Sequence, residues 1–146
     1  MWLFPASYLL HIAEEYFGGF PLFVAGFTGF PMSNTAFLVA NALFWILMVA
    51  AASWAVRSTS AVPIVVLLAT IVTINAVLHG AAALLTRSYS PGMMSGVSLW
   101  LPLGVVSLVR GNRMLAPSAF RNAVALGVGV HILVPLVALG SVLVLS

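Results

Sequence analysis

Long apolar stretches alternate along this chain with short segments that contain polar residues, glycine or proline. The stretches over residues 35–56, 62–86 and 119–145 reach the roughly 20 apolar residues that a helix needs to cross a bilayer. A further apolar stretch, over residues 93–109, contains Pro102. The pattern therefore predicts an all-α fold, namely a polytopic integral membrane helix bundle.

A shorter helix is predicted near the N-terminus, over residues 4–17, and it carries polar side chains. Gly18 is its expected C-cap. The segment from there to Ser33 is rich in glycine, proline and phenylalanine, and we expect an interfacial or re-entrant loop. Ser33 or Asn34 is a candidate N-cap for the next helix. Together these elements predict one transmembrane domain over residues 1–146, with about five transmembrane helices.

Arginines mark the sides of this bundle. Polar turns are predicted at residues 57–60, 87–92 and 110–118, and the first and third turns lie on the same side of the membrane. That side carries four of the five arginines, which are Arg57, Arg110, Arg113 and Arg121. The positive-inside rule makes it cytoplasmic, which places the N-terminus in the cytoplasm if the first helix spans. We expect a multi-pass protein of the bacterial inner (cytoplasmic) membrane.

Composition excludes several classes of function. With 63% hydrophobic and 5% charged residues, the chain is too apolar for a soluble domain. It contains no cysteine, so disulfides, thiolate metal sites and cysteine nucleophiles are excluded. The formal net charge of +3 comes from scattered arginines, which are too few for a nucleic-acid surface. The expected partners are the lipid bilayer and a hydrophobic small-molecule substrate, with no nucleic acid; a homo-oligomer is left open.

The two acidic residues of the chain, Glu14 and Glu15, are adjacent and follow His11 by three and four positions. In a helix, these three side chains are expected to project from one face. A carboxylate buried in apolar surroundings is unfavourable unless a partner, a proton or a metal compensates its charge. We interpret all three residues as metal ligands, and both glutamates also as candidate catalytic residues. The alternative is a helix end whose glutamates reach water.

Other predicted helices carry polar residues at a similar depth. Asn75 and His79 share one face of their helix, Asn41 lies near the outer start of another, and His131 lies mid-helix. Pro135 removes the backbone hydrogen bond to the carbonyl of His131, which is expected to open the helix there. We predict His79 and His131 as further metal ligands, and Asn41 and Asn75 as polar residues of a substrate pocket. The alternative is a set of polar contacts that hold helices together.

A family resemblance connects these residues with a turn that is ordinary by its residue types. The residues that carry the resemblance are His11, Glu14, Glu15, Asn75, His79, the turn Tyr89-Ser90-Pro91-Gly92 and the Leu-Pro-Leu-Gly run at 101–104. On these residues the chain resembles the HXXEE-domain family of small bacterial integral membrane proteins. The resemblance implies a site that contains His11, Glu14, Glu15 and His79, and it names no substrate. We include Tyr89 as a third candidate catalytic residue.

The leading hypothesis is an intramembrane metal-dependent enzyme that acts on a lipid-like or isoprenoid substrate. Histidine and glutamate ligands suit a divalent Zn, Fe or Mn ion, and a second glutamate would serve as general base. One alternative is a metal-free acid–base isomerase, cyclase or hydrolase acting on a hydrophobic substrate. The others are a small proton- or ion-coupled transporter and a haem site with His79 and His131 as axial ligands.

Overall fold

A computed structural model describes the backbone of residues 1–58 and 61–145, and the side chains within that part as far as residue 136. All regular structure in the described residues is helical. The six helices are α1 (Leu3–Phe17), α2 (Phe20–Thr28), α3 (Asn34–Ala55), α4 (Val62–Thr86), α5 (Met93–Met114) and α6 (Pro117–Leu145). The turn predicted at residues 57–60 includes Thr59 and Ser60, which lie outside the described residues.

Four helices, α3 to α6, are long and apolar enough to cross a membrane, which confirms the predicted class of fold. This number is close to the five spans that the sequence predicts. The difference lies in α1, because its 15 residues form a helix where predicted but fall short of a full crossing. At the start of α3, the Ser33 hydroxyl accepts a hydrogen bond from the Ala36 amide, which identifies the N-cap.

The predicted loop between α1 and α3 is wrong in its secondary structure, because residues 20–28 form the helix α2. Pro21 is compatible with this helix, since proline is well tolerated in a first turn, where its missing N–H has no helical partner. The helix is bounded by Gly19 and Gly29, both in the left-handed conformation with φ 77°. Helical structure is therefore broken at those two glycines and not at the proline.

The fourth predicted span is longer than the sequence indicates, since α5 continues from the expected end at residue 109 to Met114. Arg110, Asn112 and Arg113 remain helical because their side chains lie on the exposed face. Arginine is a good helix former, so polarity by itself does not end a helix. The predicted polar loop at residues 110–118 is therefore restricted to a short connection before α6.

Near its start, α5 contains a π-helical turn over Gly96–Trp100. The Leu101 N–H bonds to the Gly96 carbonyl, five residues earlier. Pro102 has no N–H with which to bond the Ser98 carbonyl, and this favours the wider turn directly before it. The extra residue in that turn changes the direction in which Trp100 points, and Trp100 is fully buried.

The central helix of the bundle is α4, which packs chiefly against α5 and α6. Small residues allow these helices to approach closely. A methyl group added to Gly104 of α5 would overlap Thr73, and one added to Gly127 of α6 would lie 2.7 Å from Thr70. The buried core also includes Phe4 and Tyr8 of α1, Phe44 and Met48 of α3, and Val72 and Ala76 of α4.

α1 runs in the same direction as α4. Met1 lies close to Val62 and Val65 at one end of the bundle, and His11 lies beside His79 towards the other. The end of α1 is therefore brought to the place where α4 ends and α5 begins. Since α4 continues for seven residues beyond His79, that histidine lies roughly 10 Å from the end of its helix.

Candidate metal centre

Three buried side chains from α1 and α4 converge in the interior: His11, Glu15 and His79, which we call the His–Glu–His cluster. Their exposed fractions are 1%, 4% and 5%, respectively. Glu15 Oε1 lies 3.2 Å from His79 Nε2 and 3.5 Å from His11 Nε2. One potential ligand atom from each residue lies within 4.8 Å of the other two. Two imidazole nitrogens and a carboxylate oxygen thus face a common point.

Each imidazole of the cluster is held from behind by a serine. His11 Nδ1 is hydrogen-bonded to Ser95 Oγ at 2.8 Å, and His79 Nδ1 to Ser90 Oγ at 3.1 Å. The Ser95 hydroxyl also donates to the Gly92 carbonyl, which leaves its oxygen free to accept from His11. With the proton on Nδ1, the Nε2 lone pair of His11 points into the cluster.

Ring contacts complete the enclosure of the cluster. Trp100 stacks on His11 with ring centroids 3.8 Å apart, and its indole N–H donates to Ser7. Gly92 covers the opposite side, where a Cβ atom would come within 2.7 Å of His79 and 2.9 Å of His11. Its φ of 97° is also unfavourable for other residues. The position therefore requires glycine for both backbone and packing reasons.

Glu14 points away from the cluster, contrary to the prediction that it shares one face with His11 and Glu15. Its carboxylate accepts hydrogen bonds from the backbone N–H groups of Gly92, Met94 and Ser95, at 3.2, 2.8 and 2.7 Å. These amides belong to the start of α5, where a negative charge is favourable. Glu14 therefore caps α5 in this geometry and lies outside the cluster, and its predicted roles as ligand and catalytic residue stay predictions.

Tyr89 also belongs to this cap, because its hydroxyl donates to Glu14 Oε1. It is 48% exposed and lies outside the His–Glu–His cluster, so its predicted catalytic role stays a prediction. Burial raises the pKa of Glu14, but hydrogen bonds from Ser95, Tyr89 and the Met94 amide outweigh burial and lower it to about 2. Burial and the bond to Glu14 raise the pKa of Tyr89 to about 12.

The cluster lines a cavity of about 400 Å³. Most of its wall is apolar, and phenylalanines contribute much of it: Phe20, Phe23 and Phe27 of α2, and Phe37 and Phe44 of α3. A volume of this size is typical of small-molecule sites, which are mostly apolar with a few polar groups. The arrangement suits a ligand with one polar end and a hydrocarbon body.

The remaining predicted site residues all line this cavity, but they differ in their partners. Asn41 accepts a hydrogen bond from Tyr8 at 2.7 Å and donates to the Phe37 carbonyl at 2.9 Å. In contrast, Asn75 Oδ1 is buried without a hydrogen-bond partner among the described residues. His131 is half-buried and lies outside the three-residue cluster, so its predicted ligation stays a prediction.

Several residues that shape the site were not singled out from the sequence. Ser90 and Gly92 were noted only within a turn motif, while Ser95, Trp100 and Phe20 carried no signal at all. Ser95 and Trp100 belong to α5, whose π-helical turn cannot be read from periodicity. The turn Tyr89-Ser90-Pro91-Gly92, which is part of the family resemblance, is the one sequence signal that pointed to this part of the site.

The chemistry of these donors fits a divalent metal ion. His11 Nε2 is buried without a hydrogen-bond partner among the described residues. A buried acceptor of this kind is rare unless an unseen ion or water satisfies it. Metal-bound histidines also usually hydrogen-bond through their second ring nitrogen, as both imidazoles do here through serines. Two imidazole nitrogens with one carboxylate form a ligand set that is common at catalytic zinc and non-haem iron sites.

The family model described as "Protein of unknown function with HXXEE motif" matches residues 2–107. The chain therefore belongs to the HXXEE family. The matched region includes α1 to α4 and most of α5, and thus every residue of the His–Glu–His cluster and of the Glu14 cap. No curated protein and no solved structure matches the chain.

Proposed function

We propose that this protein is a membrane-embedded metal-dependent enzyme that acts on a lipid-like or isoprenoid substrate. His11, Glu15 and His79 would hold a divalent cation at the polar end of the cavity. The substrate's hydrocarbon part would lie against the phenylalanine wall formed by α2 and α3. With most of the chain in membrane helices, the substrate has to reach the site from the bilayer or its surface.

One observation supports this proposal most strongly: Glu15 Oε1 and two imidazole Nε2 atoms converge in a buried pocket, while both Nδ1 atoms are held by serines. At His11, the Ser95 hydroxyl already donates to Gly92, which favours a proton on Nδ1 and an unprotonated Nε2 whose lone pair would face a carboxylate. A cation at this point would remove that repulsion and compensate a carboxylate charge that is otherwise costly to bury.

Zn²⁺, Fe²⁺ and Mn²⁺ all suit this set of nitrogen and oxygen ligands. A cation of this kind supplies Lewis acidity that polarises a substrate oxygen. Ser90 and Ser95 orient the imidazoles, and the stacked Trp100 and the phenylalanine wall exclude water. Because Glu14 caps α5, we assign proton transfer to His131, an imidazole outside the cluster that faces the same cavity.

For location, we propose a bacterial cytoplasmic membrane with the arginine-bearing ends of α3 and α5 in the cytoplasm. The direction of α1 supports a cytoplasmic N-terminus, since Met1 lines the same cavity as Arg110 and Met114 at the end of α5. The His–Glu–His cluster would then lie in the outer half of the membrane, beneath the connection between α4 and α5.

Quantifying metal in detergent-purified protein by mass spectrometry tests this proposal. Wild-type protein is expected to contain a stoichiometric divalent metal, and His79→Ala to contain only background amounts. His131→Ala is the matched control, because it removes a cavity histidine outside the cluster and should retain the metal. Size-exclusion profiles would establish that each variant is folded. A metal-free wild type, or a full metal complement in His79→Ala, would refute the proposal.

A metal-free acid–base enzyme is the second candidate, and it is favoured by the 3.2 Å separation between Glu15 Oε1 and His79 Nε2. At that distance, a proton on Nε2 would bind the carboxylate directly, and the pair would transfer protons to a hydrophobic substrate. The same metal measurement separates the two candidates, because this one requires a purified wild type that is folded and free of stoichiometric metal.

A further inference from the structure

We infer that the cavity selects an uncharged single-chain lipid that carries an O–H or N–H group close to its polar end, and that Asn75 is the residue that recognises this group. The inference rests on the proposed function, because it assumes that the ligand's polar end lies at the His–Glu–His cluster. It adds the chemical class of the ligand and a specificity-determining residue outside the cluster.

The charge distribution supports an uncharged ligand. The chain has no lysine, and none of its five arginines lines the cavity. Among the described lining residues, Glu15 is the one acidic group, and the other polar side chains are amides, hydroxyls and imidazoles. A phosphate monoester head would find no arginine or lysine beside it. Its roughly two negative charges would also exceed the single net positive charge that a divalent cation and Glu15 leave at the cluster, which makes its burial unfavourable.

The hydrogen-bonding state of the two cavity asparagines supports a ligand that donates. Asn41 has internal partners for both ends of its amide, since Tyr8 donates to it and it donates to Phe37. Asn75 Oδ1 is buried and lacks any such partner within the described part of the chain. An unsatisfied buried acceptor costs about 1–3 kcal/mol, so a ligand that supplies an O–H or N–H there gains affinity over one that does not.

The position of Asn75 specifies where the donor lies. Asn75 precedes His79 by one helical turn on α4, which corresponds to roughly 6 Å along the helix axis. The O–H or N–H group of the ligand therefore lies one helical turn further from the C-terminal end of α4 than the polar end of the ligand, which lies at the cluster. The volume of about 400 Å³ is at the lower end for small-molecule sites, which fits one hydrocarbon chain better than two.

Binding of matched probes to the full-length protein in lipid nanodiscs tests this inference. The first pair is N-methyldodecanamide and methyl dodecanoate, which differ in that the amide has an N–H group where the ester has an oxygen atom. The second pair is methyl β-hydroxydodecanoate and its β-methoxy counterpart. Dodecyl phosphate is the charged probe. At least one donor probe is expected to bind about tenfold more tightly than its partner, and dodecyl phosphate more weakly than either donor probe.

Two leucine variants identify the residue responsible. Asn75→Leu should bring the affinity ratio within the discriminated pair close to one. Asn41→Leu makes the same substitution in the same cavity. Because the Asn41 amide already bonds to Tyr8 and Phe37, this variant should keep the wild-type affinity ratio. Equal affinities within both pairs, tightest binding of dodecyl phosphate, or an unchanged ratio in Asn75→Leu would each overturn the inference.

Metal analysis of the same samples distinguishes failure of this inference from failure of the proposed function. A metal-free wild type that still discriminates through Asn75 would refute the metalloenzyme and support the ligand class. A metal-loaded wild type without discrimination would support the metal centre and refute the ligand class.

Discussion

Glu14 and Glu15 are adjacent and chemically identical, yet they belong to two regions with different roles. Glu15 lies in the His–Glu–His cluster, where it is 4% exposed and faces two imidazoles. Glu14 lies in the partly exposed α5 cap, where it accepts hydrogen bonds from three backbone amides and Tyr89. The first region can bind a cation, while the second already has its charge balanced by the start of a helix.

The comparison shows that the second region supports the first. By fixing the start of α5 on α1, Glu14 places Ser95 behind His11 and Gly92 against both imidazoles. One glutamate of the pair therefore acts at the site, and its neighbour holds the partners that orient the site. Glu14 also opposes the dipole of α1, and the dipole of α5 provides the compensation.

The largest expected effect comes from exchanging each glutamate for glutamine. Glu15→Gln removes the single anionic ligand and should weaken metal affinity by more than about 100-fold, beyond the loss typical of supporting residues. Glu14→Gln is the comparison variant: it makes the same change one position earlier and leaves all three ligands in place. It should weaken metal affinity much less than Glu15→Gln, since a glutamine oxygen can still accept hydrogen bonds from the α5 amides. Titration with a competing chelator measures both affinities. Equal losses in the two variants would mean that the regions are not distinct.

A smaller effect is expected from the serine that links the two regions. Ser95→Ala removes the hydrogen-bond partner of His11 Nδ1 and should weaken metal affinity by about 10–100-fold, with the cluster residues unchanged. Ser98→Ala is the control, since Ser98 is an exposed serine of the same helix that bonds to the Met94 carbonyl. The same chelator titration applies, and an affinity of Ser95→Ala equal to that of Ser98→Ala would contradict the orienting role.

The smallest expected effect concerns stability and pH in the α5 cap. Glu14→Gln should lower the free energy of unfolding by about 1–3 kcal/mol, the usual range for hydrogen bonds to a charged group. The pKa of Glu14 is lowered from 4.5 to about 2, so its stabilising contribution is complete above pH 4.5 and declines as the pH falls towards 2.

Thermal unfolding of wild type and Glu14→Gln as a function of pH measures this contribution. The difference between their midpoints should be constant above pH 4.5 and shrink below it. Tyr89→Phe removes one donor and leaves the backbone amides, so its midpoint should fall between the other two. A difference that persists down to pH 2 would argue against stabilisation by an ionised Glu14.

Much of the fold follows from the sequence because the bilayer requires long apolar helices. Hydropathy located α4 to the residue and predicted α1 and α3 to within one residue at each end. It was less successful at α2 and at the end of α5, where glycine, proline and arginine suggested loops. At α2, phenylalanines pack into the cavity wall, and at the end of α5 the polar side chains lie on the exposed face of the helix. Each segment is therefore helical although its composition alone does not favour a helix.

The sequence also identified the residue types of the site, since histidines and glutamates in apolar helices need compensation. His11, Glu15 and His79 were all predicted members, and spacing by four residues correctly paired the first two. Spacing could not separate Glu14 from Glu15, because both lie within one turn of His11 and differ only by about 100° around the helix. Which of them faces the interior depends on where α1 packs.

The sequence by itself therefore determined that this protein is a membrane helix bundle with a His- and Glu-containing interior, because apolar length and buried charge are readable from residue order. Only the tertiary structure decided that Glu15 faces both imidazoles, that Glu14 caps α5, and that Ser90 and Ser95 orient the rings. These assignments depend on contacts between residues up to 84 positions apart. Helix packing sets such contacts, and no local pattern encodes them.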